Sequence, residues 1–596
     1  MNREIDHTIL GYFKFFYRIL GNKLLFTMLL GLGVSFLDGI GLAMFIPLLQ
    51  FIDNAAAVSK ESMGGLHYII NLFQWFNVPV NIYSVLGLMV ITFSVKGLLN
   101  YFQLMQQVNL RQLFMVKLRN EQTLDLQELK YSGFLNLDAG KIQNTLTTEV
   151  SRVLQAVISF MGSFKGLVML LSYLILAFLS NWQFAMLVVL GGGLSNLVFR
   201  KIFNSVKQSS VQLSFKGHVF NAYIIQAVHS FKYLKATNYF RIFSLKLNDI
   251  IKQMEQVNRK IGYNQSITAS VREPLIILIV AIVIILQIKL LGSNLGSIIL
   301  SILLFYRALV SLISVQASWQ SFMQNVGSLN SLEDLRNQMQ ENKEVQIEAA
   351  LPDFKKEISL SKLDFWYGNN HVLKNINIDI EKNQTIALVG ESGSGKTTLA
   401  NLITGLIKPV NGDILIDGKS LFDFNLDSYR SRIGYISQEA VIFTDTLFNN
   451  ITFWAEKNDR NLQRFWEVIA QTSLTSFIEE LENKEDTQLG DNGILISGGQ
   501  KQRISIAREL YKNADILIFD EATSALDSET ERYIQDNIEK LHGKYTMVII
   551  AHRLSTIKNA DTIYLLENGE VTAKGNFNEM LDSSVRFQRM VALQDF

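Results

Sequence analysis

The chain has 596 residues, 48% of them hydrophobic, and its 55 Lys and Arg against 54 Asp and Glu leave a formal net charge of +1. That balance argues against the basic footprint of a nucleic-acid binder, and the length admits more than one domain. There is no cysteine, so no disulfide framework exists, and the seven histidines are scattered without metal-ligand spacing.

The first stretch with a pattern, Ile9 to Leu20, is aromatic and basic, which predicts an amphipathic helix lying on a membrane surface. Six apolar stretches follow before residue 325, at about 24 to 51, 80 to 106, 155 to 180, 183 to 203, 267 to 291 and 295 to 322. Each approaches or exceeds the roughly 20 residues that cross a bilayer. Leu275 to Leu286 is almost all β-branched residues and leucine, with no polar face. A lipid-facing span explains that better than a buried soluble core. Lys and Arg crowd 109 to 141, 200 to 260 and the N-terminal Lys14, Arg18 and Lys23, whereas the links Ser180-Asn181-Trp182 and Gly292-Ser293-Asn294 are short and uncharged. This asymmetry predicts that both termini are cytoplasmic. The first apolar run is too long for a signal peptide, and no small-residue cleavage site follows it.

Four charges fall near mid-depth of these spans: Asp38, Lys96, Lys165 and Arg307. Each costs about 2.5–3.5 kcal/mol at the bilayer centre on insertion scales, so such residues mark a cavity or an ion pair. Asp38 neutralising Lys96 stands level with a cavity role for both, and Lys165 and Arg307 are left without an acidic partner in the spans. Arg272 has Glu273 beside it, and Lys289 can snorkel outward. The long connections between spans two and three and between four and five are expected to extend as helices and to turn near Gly140 to Glu149 and Val228 to Asn238. Residues 326 to 352, polar and rich in Asn, Gln and Glu, read as a linker between a membrane domain, 1–325, and a second domain, 353–596.

In the second domain the apolar run Thr385 to Val389 leads into Gly390-Glu391-Ser392-Gly393-Ser394-Gly395-Lys396-Thr397 and then a helical stretch that starts with Thr398. A phosphate loop has this form: backbone N–H groups curl around phosphates, the Lys reaches the β and γ oxygens, and the Thr hydroxyl ligates Mg²⁺. About a hundred residues later Ile496-Ser497-Gly498-Gly499-Gln500 precedes a second apolar strand, Ile516 to Phe519, that ends in Asp520-Glu521.

In order and spacing these segments resemble the ATP-binding cassette transporters, whose signature is usually LSGGQ; Ile496 replaces the Leu. The resemblance implies an all-α six-span domain followed by an α/β phosphate-loop domain that hydrolyses ATP with Mg²⁺. It implies a Mg²⁺-linked Asp520, a catalytic Glu521, and Lys396 and a switch histidine, His552, as stabilisers of phosphate charge. Tyr367 resembles the aromatic that stacks on adenine. Gln438 resembles the glutamine that senses the γ-phosphate and Mg²⁺, and Ser524-Ala525-Leu526-Asp527 the loop at the dimer interface. Thr487 to Gly493 resembles the cross-dimer loop, with Asp491 where Glu is usual. The two turning points resemble coupling helices. One phosphate loop and one signature per chain imply a dimer, by preference of two copies, in which Ser497 and its glycines cap the other chain's nucleotide. Ser35-Phe36-Leu37-Asp38-Gly39-Ile40-Gly41-Leu42 through Pro47, with Phe305-Tyr306-Arg307, resembles the bacterial exporters of lipid-linked oligosaccharide and glycolipid. That resemblance and the excess cations point to a flippase for an anionic lipid-linked substrate. A peptide or multidrug exporter, and a membrane-anchored regulatory ATPase that moves nothing, remain as alternatives.

Overall fold

The computed structural model describes residues 6, 8–45, 48, 79, 81–180, 182–291, 295–521, 528–551 and 553–594. They divide into two compact units, Met1–Leu129 with Gly133–Lys343, and Lys130–Ser132 with Glu344–Phe596.

The first unit is helical. Helix α1 (Ile9–Leu20) starts at Thr8, whose hydroxyl accepts the Gly11 N–H. Its Tyr12, Phe15, Phe16 and Ile19 recur at three- and four-residue steps and are buried. The aromatic face that the sequence suggests for a membrane surface is spent on protein: Tyr12 meets Phe322 edge-on at 4.9 Å and Phe16 meets Phe160 at 5.3 Å. Then come α2 (Asn22–Ala43), α3 (Ile82–Gln127), a short α4 (Ala139–Asn144), α5 (Val150–Ser180), α6 (Trp182–His229), a short α7 (Phe231–Ala236), α8 (Phe240–Leu291) and α9 (Leu295–Glu341). Among the described residues, Asn22–Leu42, Ile82–Gln127 and Ala139–Phe178 are long and apolar enough to cross a membrane. The ends of the first and later expected spans, including Pro47 and Gly292 to Asn294, lie outside the described residues. The turning points fall where expected, at α4 with the π-helical turn Thr145–Glu149, and at α7.

The stretch read as a linker is helix as far as Glu341. Its polar composition hides an apolar stripe, Phe322, Val326, Leu329, Leu332, Leu335 and Met339, all buried and spaced by three or four residues. That periodicity packs a helix whatever the average polarity.

In the second unit, β1 (Glu357–Tyr367), β2 (Asn370–Glu381), β4 (Asn411–Ile416) and β5 (Lys419–Ser420) form an antiparallel sheet in the order β2-β1-β4-β5. A six-stranded sheet has the order β10-β9-β3-β8-β7-β6, from β3 (Thr385–Gly390), β6 (Ile433–Ile436), β7 (Ile516–Asp520), β8 (Thr546–Ile550), β9 (Thr562–Glu567) and β10 (Glu570–Gly575). All its pairings are parallel except β9 with β10. The central strands β3 and β8 are buried at every residue, which is why they read as unbroken apolar runs. Successive side chains divide between two cores: Ala387, Leu517, Phe519 and Ile549 on one face, Ile386, Leu388, Ile518 and Val548 on the other. Parallel strands present their carboxyl ends together, and that edge is where ligands bind in open α/β sheets.

Candidate functional site

The phosphate loop leaves β3 at that edge and enters α10 (Lys396–Ile403). Two of its glycines are sterically required. Gly390 has φ +155 and a Cβ there would lie 2.3 Å from the Leu566 carbonyl oxygen; Gly395 has φ +104 and its Cβ would lie 2.6 Å from Leu373 Cδ2. Only glycine fits so tight a curl. Inside it, Ser394 Oγ is buried and has no partner among the described residues. Lys396 is 5% exposed and donates through Nζ to the carbonyls of Gly390, at 2.8 Å, and Glu391, at 2.9 Å. Burial pulls its ammonium pKa down, against the opposing charges of Glu521 and Asp520. Glu391, Ser392, Gly393 and Thr397 are exposed and Thr398 is buried. The orphan hydroxyl, the exposed Thr397 and the ammonium fit a polyphosphate, and Thr397 with Asp520 supplies the oxygen donors that a hard Mg²⁺ ion takes.

Strand β7 delivers Asp520 and Glu521 to the same edge. Glu521 adopts φ +52, a left-handed conformation unusual for a side chain of its kind, and its N–H is held by the Ile550 carbonyl of β8 at 3.0 Å. Its Oε2 accepts from Gln438 Nε2 at 2.8 Å, so two residues that the sequence separates by 83 positions share one site. His552 and Ser524 to Asp527 lie outside the described residues. Tyr367 ends β1, is 43% exposed and meets Phe365 edge-on at 4.9 Å.

The signature opens α11 (Gly498–Tyr511). Ser497 Oγ accepts the Gln500 N–H at 3.3 Å, and Gln500 Oε1 accepts the Ser497 N–H at 2.8 Å. This reciprocal cap fixes the helix start, with Ser497 and Gly498 exposed and Gly499 buried beneath them. An exposed helix N-terminus of this kind suits an anion. Nearby, Asp491 Oδ1 accepts from Thr444 Oγ1 at 3.3 Å.

Two contacts carried no sequence signal. Tyr435, in β6, donates from Oη to Asp520 Oδ2 at 2.7 Å. Burial first, then that carboxylate, raises its hydroxyl pKa above the ordinary value, so it stays protonated at neutral pH. Arg586, in the last helix, pairs with Glu391 of the loop and with Glu567 at 3.3 Å.

In the helical unit Asp38, 3% exposed, pairs with Lys96 and also accepts from the Tyr173 hydroxyl, a partner the spacing of charges does not reveal. Lys165 Nζ reaches amide oxygens, Gln103 at 3.1 Å and Asn100 at 3.4 Å. Arg307 is exposed. Arg272 is buried, 6.0 Å over the Phe199 ring, with Gln320 Oε1 at 3.5 Å. Glu273 does not neutralise it: consecutive helical residues point ~100° apart, and Glu273 is exposed.

A family profile described as ABC transporter matches residues 373–524. The heterocyst differentiation ATP-binding protein HepA of Nostoc sp. is 30% identical over 600 residues, covering 97% of this chain and 94% of that protein. ATP-dependent lipid A-core flippases of Pasteurella multocida and Escherichia coli K12 are 39% and 40% identical, over 49% and 47% of this chain; the chain spans about half the length of each. A solved bacterial Atm1-family ABC exporter with ATP bound shares the fold, with a TM-score of 0.80 at 19% identity over 97% of this chain and 100% of that one. The phosphate loop, the acidic pair and the capped signature are thus set in a chain matched along almost its whole length, and the protein belongs to the ATP-binding cassette transporters, whose membrane domain is coupled to an ATP-hydrolysing one.

Proposed function

We propose that the chain is one half of a homodimeric exporter that moves an amphipathic, anionic, lipid-linked substrate from the inner to the outer leaflet of the cell membrane, both termini being cytoplasmic. The charge arrangement in the helical unit carries this reading. Asp38 is committed to Lys96 and Tyr173, while Lys165 has amide partners and Arg307 is exposed. Cations not matched by carboxylates among the described residues suit a path that receives an anionic headgroup, and a guanidinium grips phosphate bidentately. The similarity to the lipid A-core flippases supports a lipid substrate, and the distribution of Lys and Arg supports the orientation.

For hydrolysis, Glu521 orients or deprotonates the attacking water, and Lys396 and His552 neutralise phosphate oxygens. Thr397 and Asp520, with Gln438, would hold Mg²⁺, which when bound offsets charge on the β and γ oxygens. Tyr367 stacks on adenine. Ser497, Gly498, Gly499 and Gln500 serve the partner's nucleotide.

The test is reconstitution in vesicles carrying either an anionic or an uncharged fluorescent glycolipid, with mass spectrometry of co-purifying lipids to choose the headgroup. ATP should move the anionic probe between leaflets, and Arg307→Ala should remove that movement. Unchanged transport by the variant, or preference for the uncharged probe, overturns the anionic assignment; no ATP-dependent movement of any co-purified lipid favours the regulatory ATPase.

A further inference from the structure

Asp520 receives a hydrogen bond that the motif itself does not require. Tyr435 Oη lies 2.7 Å from its Oδ2, and the tyrosine is firmly placed. It is half-buried in β6, whose parallel register sets Tyr435 beside Ile518, two residues before Asp520. Two residues earlier in the same strand, the Ile433 carbonyl accepts from Lys512 Nζ at 2.5 Å. A free carboxylate rotates broadly about its last bond. One donor fixed on one oxygen removes that freedom, and a neutral hydroxyl does so without cancelling the negative charge.

We propose that Tyr435 is a positioning residue for Mg²⁺: by holding Oδ2 of Asp520 it sets the bearing of the other carboxylate oxygen toward the ion or its water, and so tunes metal affinity at the nucleotide site. The inference rests on reading Asp520 as the metal-linked carboxylate. Partners that orient a metal's ligand carboxylates typically change affinity by about 10–100-fold when removed.

The experiment uses the full-length protein in lipid nanodiscs with Mn²⁺ as the probe ion and ATPγS as the nucleotide. Bound Mn²⁺ is read by electron paramagnetic resonance, and ATPγS affinity is measured separately in EDTA. Tyr435→Phe removes one oxygen and keeps the ring. It should weaken Mn²⁺ binding by about tenfold and shift the Mg²⁺ dependence of hydrolysis by a similar factor, with metal-free ATPγS affinity unchanged. Unaltered Mn²⁺ affinity overturns the proposal. So does an equal loss of Mn²⁺ and metal-free nucleotide binding, which would make Tyr435 a general prop of the sheet edge. Asp520→Asn separates the two layers of inference: if it retains wild-type Mn²⁺ binding, the metal role of Asp520 falls, and with it the reason for assigning one to Tyr435.

Discussion

Glu521 is held by its backbone and its side chain at once: the left-handed φ, the N–H on Ile550 and the Gln438 amide on its carboxylate. Glu521→Gln keeps the shape and removes the charge. ATP binding should persist and a closed dimer accumulate, while turnover falls by roughly 10²–10⁴-fold, the usual contribution of a general base; steady-state ATPase assays near wild type would remove Glu521 from the reaction. The Asp38 cluster makes a second prediction. Lys96→Ala leaves a buried carboxylate with, among the described residues, only the Tyr173 hydroxyl, and stranding one partner of a buried pair costs about 3–5 kcal/mol. Thermal unfolding in detergent should show a large loss, partly recovered when Asp38→Asn and Lys96→Gln are combined. At this scale the phosphate loop, Asp520, Glu521 and the signature were legible because their chemistry restricts residue type and spacing together. Tyr173 and Tyr435 were not, since a lone tyrosine has no spacing to betray its partner, and Arg272 was misjudged because adjacency in sequence is not adjacency on a helix.

Among the elements, α9 and α6 approach tightly at Gly327, where a Cβ would lie 2.4 Å from the Ser210 carbonyl oxygen and where the Gly327 N–H donates to Ser210 Oγ at 3.0 Å. Small residues let helix backbones approach in this way. Gly327→Val should therefore lower stability by about 1–3 kcal/mol, the usual cost of overpacking, detectable as a lower unfolding midpoint; an unchanged midpoint would show that the helices separate at no cost. The turns at α4 and α7 were readable from the long connections between spans and their resemblance to coupling helices. The continuation of α9 to Glu341 was not, because composition averages over faces and only the three- and four-residue recurrence from Phe322 to Met339 exposes the stripe. The burial of the α1 aromatics likewise depends on partners, Phe160 and Phe322, more than a hundred residues away.

For the whole molecule, the proposed dimer, in which the exposed cap of α11 serves the other chain's phosphate loop, would have two composite sites. Lys396→Ala disables one chain's loop and Ser497→Arg its signature. Mixed dimers of the two variants should retain one complete site, seen as trapped nucleotide in purified heterodimers. Occupancy no higher than in either mutant homodimer would refute the cross-chain arrangement. The two-domain plan was legible from the segregation of apolar runs before residue 325 and of the nucleotide motifs after 385, whereas the proposed substrate class rests on a few charges, of which Asp38 and Lys96 also have a structural use.

The alternation of side chains between two cores across the six-stranded sheet has a bearing on which length changes this chain tolerates. Leu517 and Phe519 face one core, Ile516 and Ile518 the other, so deleting a single residue within β7 would exchange the faces of the residues on one side of the deletion and turn Asp520 away from the loop it serves. Insertions and deletions should therefore be confined to the connections between strands. Within Ile516–Asp520 the number of residues is itself a constrained quantity, as firmly as the identity of the aspartate at its end.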